Sequence, residues 1–140
     1  MQSIIEALRK AGYKATPQRI AICKYALQNQ THPTAKTIYQ KVREEYPTVS
    51  LATVYKTLKV LKELDLIQEL PFSNGLTRFD PNMKPHINVV CLKCSKIIDL
   101  KTPEICAFVK QIAESAKFRL TVQRLDVYGF CEKCIKVNST

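Results

Sequence analysis

Apolar positions recur at helical spacing from the N-terminus to about residue 65, and four helices are predicted from that pattern and from the residues that bound it. The first runs from Ser3 to Ala11 and ends at Gly12. The second takes Thr16 as its N-cap and Pro17 in its first turn, with Ile20, Cys23 and Leu27 on one face. Thr34 caps a third, which carries Ile38 and Val42 inward and stops before Pro47, because a residue ahead of proline is pushed out of the helical region. Ser50 caps a fourth, whose apolar stripe is Val54, Leu58, Leu61 and Leu64. The period then falls to two: a strand over residues 66–70, a turn at Ser73, Asn74 and Gly75, and a return strand over 77–79. Helices closed by a two-stranded wing are the order of a winged helix-turn-helix domain, placed at residues 1–82.

Residues 83–140 read as a second, smaller domain. A strand carries Ile97, Ile98 and Leu100; Thr102 and Pro103 open a helix with Ile105, Val109 and Ile112 at core spacing; a β-rich stretch from Phe118 to Phe130 follows. A domain this small leaves an apolar strand edge or face uncovered, which a second copy can cover, so a homodimer is expected. The fold class is α+β: an N-terminal winged helix-turn-helix domain and a small C-terminal α/β dimerisation domain.

Cysteine placement changes what that second domain can be. Cys91 and Cys94, and again Cys131 and Cys134, form two C-x-x-C knuckles. Two such pairs donate four thiolates, the soft tetrahedral set that suits one structural Zn²⁺ per chain and leaves no position open for substrate. Disulfides and a thioredoxin-like redox pair are the competing explanations. Glu6, Arg9 and Lys10 stand where a secretory signal needs an apolar core, which argues for the cytoplasm and against disulfides, and no stretch reaches membrane-spanning length. Cys23 and Cys106 lie on apolar faces of predicted helices and read as packing residues.

A formal net charge of +10 points to an acidic partner. The charge is shared evenly between the two parts and does not by itself locate a binding face. The fourth helix does: opposite its apolar stripe it presents Ala52, Tyr55, Lys56 and Lys59, small and aromatic groups for base edges beside lysines for phosphate. A lysine row of this kind can also serve only to solvate a helix, and the wing that follows is what favours DNA. With two histidines and no nucleophile motif, no catalytic constellation is visible, and an enzyme is not expected.

The segments KATPQR at 14–19, HPTAKTIY at 32–39, SLATVYKTLKVL at 50–61, RFD at 78–80, CLKCSKIIDL at 91–100 and LDVYGFCEKC at 125–134 together resemble the ferric uptake regulator family, in order and over essentially the whole chain, nearest to its peroxide-responsive branch. The resemblance implies a dimeric repressor on a palindromic double-stranded DNA operator, with Lys14 and Arg19 approaching the DNA backbone. It also implies a second, regulatory metal held by His32, Asp80, His86 and Asp99, with Asn88 where the family usually has another histidine. Two imidazoles and two carboxylates suit Fe²⁺ or Mn²⁺. Aspartates at positions 80 and 99 resemble the peroxide-sensing pattern, in which Fe²⁺ reacts with hydrogen peroxide and a ligand histidine, here His32 or His86, gains oxygen. The alternatives are an iron, manganese or zinc homeostasis regulator that ignores peroxide, and a zinc-ribbon interaction module that needs the four cysteines but not His32, Asp80 or Lys59.

Overall fold

The computed structural model describes residues 2–72 and 75–138. The chain divides into two compact units, Met1–Met83 and Lys84–Thr140.

The first unit runs α1 (Gln2–Lys10), α2 (Pro17–Gln28), α3 (Ala35–Glu45), α4 (Leu51–Glu63), β1 (Gln68–Pro71) and β2 (Thr77–Asp80). Three side-chain caps start its helices: Thr16 accepts from the Arg19 amide at 3.2 Å, Thr34 from Thr37 at 3.1 Å and Ser50 from Thr53 at 3.1 Å. Each satisfies an amide that has no partner within the helix, worth about 1 kcal/mol. The core gathers Leu8, Ile22, Cys23, Ile38, Val54, Leu58, Leu61, Ile67 and Phe79. On α2 the buried residues are Ile22, Cys23 and Ala26, whereas Ile20 and Leu27 are half-buried. Apolar side chains run nearly all round this helix, which packs against α1, α3 and α4, so periodicity does not single out one stripe.

β1 begins two residues later than the alternation predicts, because the end of α4 uses that chain. Asp65 adopts a left-handed φ of 56°, and the amides of Asp65 and Leu66 bond back to Lys62 and Leu61 at 3.0 and 2.9 Å, closing the helix. β1 and β2 pair antiparallel, Gln68 opposite Asp80 and Pro71 opposite Thr77. Ser73 and Asn74 of the expected turn lie outside the described residues. Their flanks are joined by Phe72 N–H to Leu76 O at 3.0 Å, and Gly75 takes a φ of 80°, where glycine carries no Cβ penalty.

The second unit holds β3 (Ile87–Cys91), β4 (Ile97–Leu100), α5 (Pro103–Ala116), β5 (Leu125–Gly129) and α6 (Glu132–Asn138), with strand order β4-β3-β5. β3 runs antiparallel to β4 and parallel to β5. Neither β3 nor α6 was expected, although the β-branched run of Ile87, Val89 and Val90 carries the signal for the strand. Two expectations need correction. No residue of α5 is buried; Ile105 and Val109 are half-buried and Ile112 is 42% exposed, so the spacing taken for a core marks a face left uncovered in the single chain. The β-rich stretch contributes strand only over Leu125–Gly129, and residues 118–124 have no strand partner in one chain. Among the described residues, no helix is long and apolar enough to cross a membrane.

Candidate metal centres and DNA-facing surface

The parallel register of β3 and β5 sets Cys91 opposite Gly129, so the chain leaves both strands at the same end of the sheet. A turn through Ser95, left-handed at φ 64°, carries Cys94 back toward Cys91, while Cys131 and Cys134 flank the start of α6. All four sulfurs lie within 4.8 Å of one another, with Cys94 and Cys131 Sγ 3.7 Å apart. That separation is far beyond a disulfide bond. It matches the edge, roughly 3.8 Å, of a tetrahedron with 2.3 Å Zn–S bonds. Backbone N–H groups of Cys94 and Cys131 draw the Cys91 thiol down to about 5, and the Cys131 amide lies 3.4 Å from Cys91 Sγ. Hydrogen bonding to Cys131 and burial push Cys134 up to about 12. One sulfur thus ionises readily while its neighbour resists, and four thiolates together require a cation among them. The cluster fits Zn²⁺.

A second group of polar side chains lies at the end of the wing in the first unit. His32 and Asp80 are 1% and 0% exposed, with His32 Nε2 3.2 Å from Asp80 Oδ2. The strand β2 fixes both: Arg78 donates to the His32 carbonyl at 3.0 Å, and the Phe79 amide donates to Pro33 O at 2.9 Å. Asp80 Oδ1 accepts from the Asn82 amide at 2.9 Å. His32 has a left-handed φ of 55°, a conformation costing a non-glycine residue of order 1–3 kcal/mol and concentrated at functional sites.

The second unit contributes a row across its sheet. β3 and β4 set Asn88 opposite Asp99, and β3 and β5 set Asn88 opposite Asp126. His86, two residues before Asn88, falls on the same face by strand alternation. Its Nδ1 lies 2.7 Å from Lys84 O; its Nε2 is 3.1 Å from Asn88 Oδ1 and 3.8 Å from Asp99 Oδ1. His86 and Asn88 are buried and Asp99 partly so. Each unit therefore carries an imidazole beside an aspartate, a borderline-to-hard donor set that fits Fe²⁺ or Mn²⁺ better than a soft cation.

On the first unit, Ala52, Tyr55, Lys56 and Lys59 are all exposed along α4, with Tyr55 55% exposed. Lys62, further along, pairs with Glu69 of the wing. Lys14 is exposed, whereas Arg19 is half-buried: it donates to Lys14 O at 2.8 Å and lies over the Tyr13 ring at 5.6 Å. Its guanidinium braces the loop that presents Lys14.

The profile of the Ferric uptake regulator family matches residues 10–128. The chain belongs to the ferric uptake regulator family. Over 134 residues it is 36% identical to the Peroxide-responsive repressor PerR of Staphylococcus aureus (strain USA300), covering 96% of this chain and 90% of that protein. Its structure is similar to that of the Campylobacter jejuni peroxide stress regulator, with TM-score 0.76 and 34% identity, covering 93% of this chain and 98% of the other. It is also similar to the Vibrio cholerae ferric uptake regulator, with TM-score 0.72 and 29% identity over 91% and 98% of the respective chains. In this member of the family, Asp126 and Arg124 are the polar residues that sequence reasoning passed over. Their signal was the alternation of Arg124, Asp126 and Tyr128 along one strand face, hidden inside a stretch read only as β-rich.

Proposed function

We propose that the protein is a metal-dependent transcriptional repressor of the cytoplasm that binds a palindromic DNA operator as a homodimer and senses peroxide through an iron-bound histidine. The observation that carries this reading is the burial of His32 with Asp80 in one unit and of His86 beside Asp99 in the other. Together with family membership, it supports their assignment as ligands of one regulatory Fe²⁺ or Mn²⁺, with structural Zn²⁺ at Cys91, Cys94, Cys131 and Cys134. Residues 1–82 form the DNA-binding domain in this reading: Tyr55 and Ala52 meet base edges, while Lys14, Lys56 and Lys59 meet phosphates, with Arg19 bracing Lys14. Residues 83–140 form the dimerisation domain.

Ligands drawn from both units make the ion a constraint on their relative orientation, and such a constraint shifts the population toward the DNA-binding state only by its differential affinity for that state. Held by His32, Asp80, His86 and Asp99, Fe²⁺ would supply the reducing electron that cleaves the O–O bond of hydrogen peroxide, and the peroxide would supply the oxygen that adds to an imidazole. His32 and His86 are the two imidazoles present, and modification of either removes a ligand and releases the constraint.

Asn88 favours a second reading, a metal-homeostasis regulator that ignores peroxide, because an amide replaces the further histidine the family usually carries. Anaerobic operator binding with Fe²⁺ or Mn²⁺, followed by peroxide and mass spectrometry, separates the two. Peroxide sensing gives DNA release in the iron form alone, with oxygen at His32 or His86. Metal-activated binding insensitive to peroxide leaves the homeostasis reading, and operator binding indifferent to both metals rejects the regulatory ligand set.

A further inference from the structure

Asp126 holds a contact that the regulatory reading does not use. Its Oδ2 receives Arg124 Nε and Nη2, each at 2.8 Å, with the Tyr128 hydroxyl at 3.4 Å. Its Oδ1 receives the Asn88 side-chain amide, Nδ2, at 3.0 Å. A carboxylate only accepts, so this contact fixes which way the buried amide points: NH₂ toward Asp126 and carbonyl oxygen toward His86 Nε2. The imidazole is fixed by the same logic. Its Nδ1 faces the Lys84 carbonyl, which only accepts, so Nδ1 donates there and Nε2 is the nitrogen turned toward Asn88. Nε2 lies 3.1 Å from Asn88 Oδ1 and 3.8 Å from Asp99 Oδ1, so an imidazole nitrogen, an amide oxygen and a carboxylate oxygen converge, three atoms of the kind that ligate Fe²⁺ or Mn²⁺.

We infer that Asp126 is a positioning residue that makes Asn88 an oxygen ligand of the regulatory ion, with Arg124 holding Asp126 in place. The inference rests on the reading of His86 and Asp99 as ligands. Donation from the amide NH₂ to a carboxylate polarises the carbonyl, raising the donor strength of an otherwise weak neutral ligand. Asp126 thereby serves the ligand that stands in place of a histidine.

The test titrates Mn²⁺ into the full-length, zinc-loaded protein and reads free Mn²⁺ by electron paramagnetic resonance. Zinc content of one per chain and an unchanged circular dichroism spectrum establish that each variant is folded. Asp126→Ala is expected to weaken Mn²⁺ binding by about 10–100-fold, the usual loss for an outer partner of a ligand. Asn88→Ala should weaken it comparably, and adding Asp126→Ala to Asn88→Ala should cost nothing further. The exchanged pair Asn88→Asp with Asp126→Asn keeps one donor facing one carboxylate and should restore binding. In the metal-free protein, the Asn88 side-chain amide protons should be protected from exchange and lose protection in Asp126→Ala.

Wild-type affinity in Asp126→Ala, with binding lost in His86→Ala and Asp99→Ala, overturns the role of Asp126 and leaves the site standing. Wild-type affinity in His86→Ala and Asp99→Ala as well overturns the ligand assignment itself. Should Asp126→Ala lose its zinc, the exchanged pair decides, and failure to recover Mn²⁺ binding rejects the inference.

Discussion

The N-terminal unit folds around a packed apolar core from Leu8 to Phe79, whereas the C-terminal unit buries only Val90, Cys91 and Cys134 among its described apolar residues. That second unit leaves Phe108, Ile112, Phe118, Val127 and Phe130 exposed. The two halves therefore solve the problem of small size differently. Burying a Leu or Ile contributes about 1.5–3 kcal/mol, and the first unit has enough such residues to assemble from its own chain. The second gathers four cysteine sulfurs that would brace it around a Zn²⁺ ion in the proposed reading, and its uncovered apolar face is suited to a second copy.

Replacing Cys91 with Ser should break this contrast open with the largest effect. Structural zinc binds peptides with about 10–16 kcal/mol, so its loss should abolish zinc retention and hydrogen-exchange protection in residues 84–138. Protection in α2, α3 and α4 should persist, and its collapse in parallel would show that the first unit does not stand on its own core. Leu58→Ala probes the other side: a loss of about 2–5 kcal/mol in denaturant unfolding of the N-terminal unit, with zinc stoichiometry unchanged. Lys59→Ala should leave both units folded and lower operator affinity, reducing the salt-dependence slope by about 1, as a phosphate contact requires; an unchanged slope assigns Lys59 to solvation.

The smallest effect concerns Cys23. Burial raises its thiol from 9.0 to about 11, so the folded state keeps a proton that the unfolded state releases between those values. Its contribution to stability is present below pH 9 and fades as pH rises toward 11. Native protein at pH 8 should resist alkylation at Cys23, and Cys23→Ala should flatten the alkaline decline in unfolding midpoint.

The same contrast governs how much was legible in the sequence. Caps at Thr16, Thr34 and Ser50 and the inward residues of α3 and α4 could be read directly, because local hydrogen bonds and one core made those choices. On α2 an apolar surface nearly all round left the stripe undetermined. In the second unit Ile105, Val109 and Ile112 have the spacing of a core residue set, but spacing cannot say whether the covering surface comes from the same chain. The knuckle cysteines were readable from spacing alone. His32, Asp80, His86 and Asp99 were visible only through family resemblance, and Asp126 was missed because its partner Asn88 lies 38 residues away, joined to it by parallel strand pairing.

That pairing also ties the two clusters to one register. Asn88 and Cys91 sit three residues apart on β3, about 10 Å along the strand, and one register aligns Asn88 with Asp126 and Cys91 with Gly129. A slip of a single residue would turn every β3 side chain to the opposite face and undo both alignments together. If Zn²⁺ on the four cysteines is what holds that register, as the proposed function implies, a variant that loses zinc should lose Mn²⁺ affinity with it.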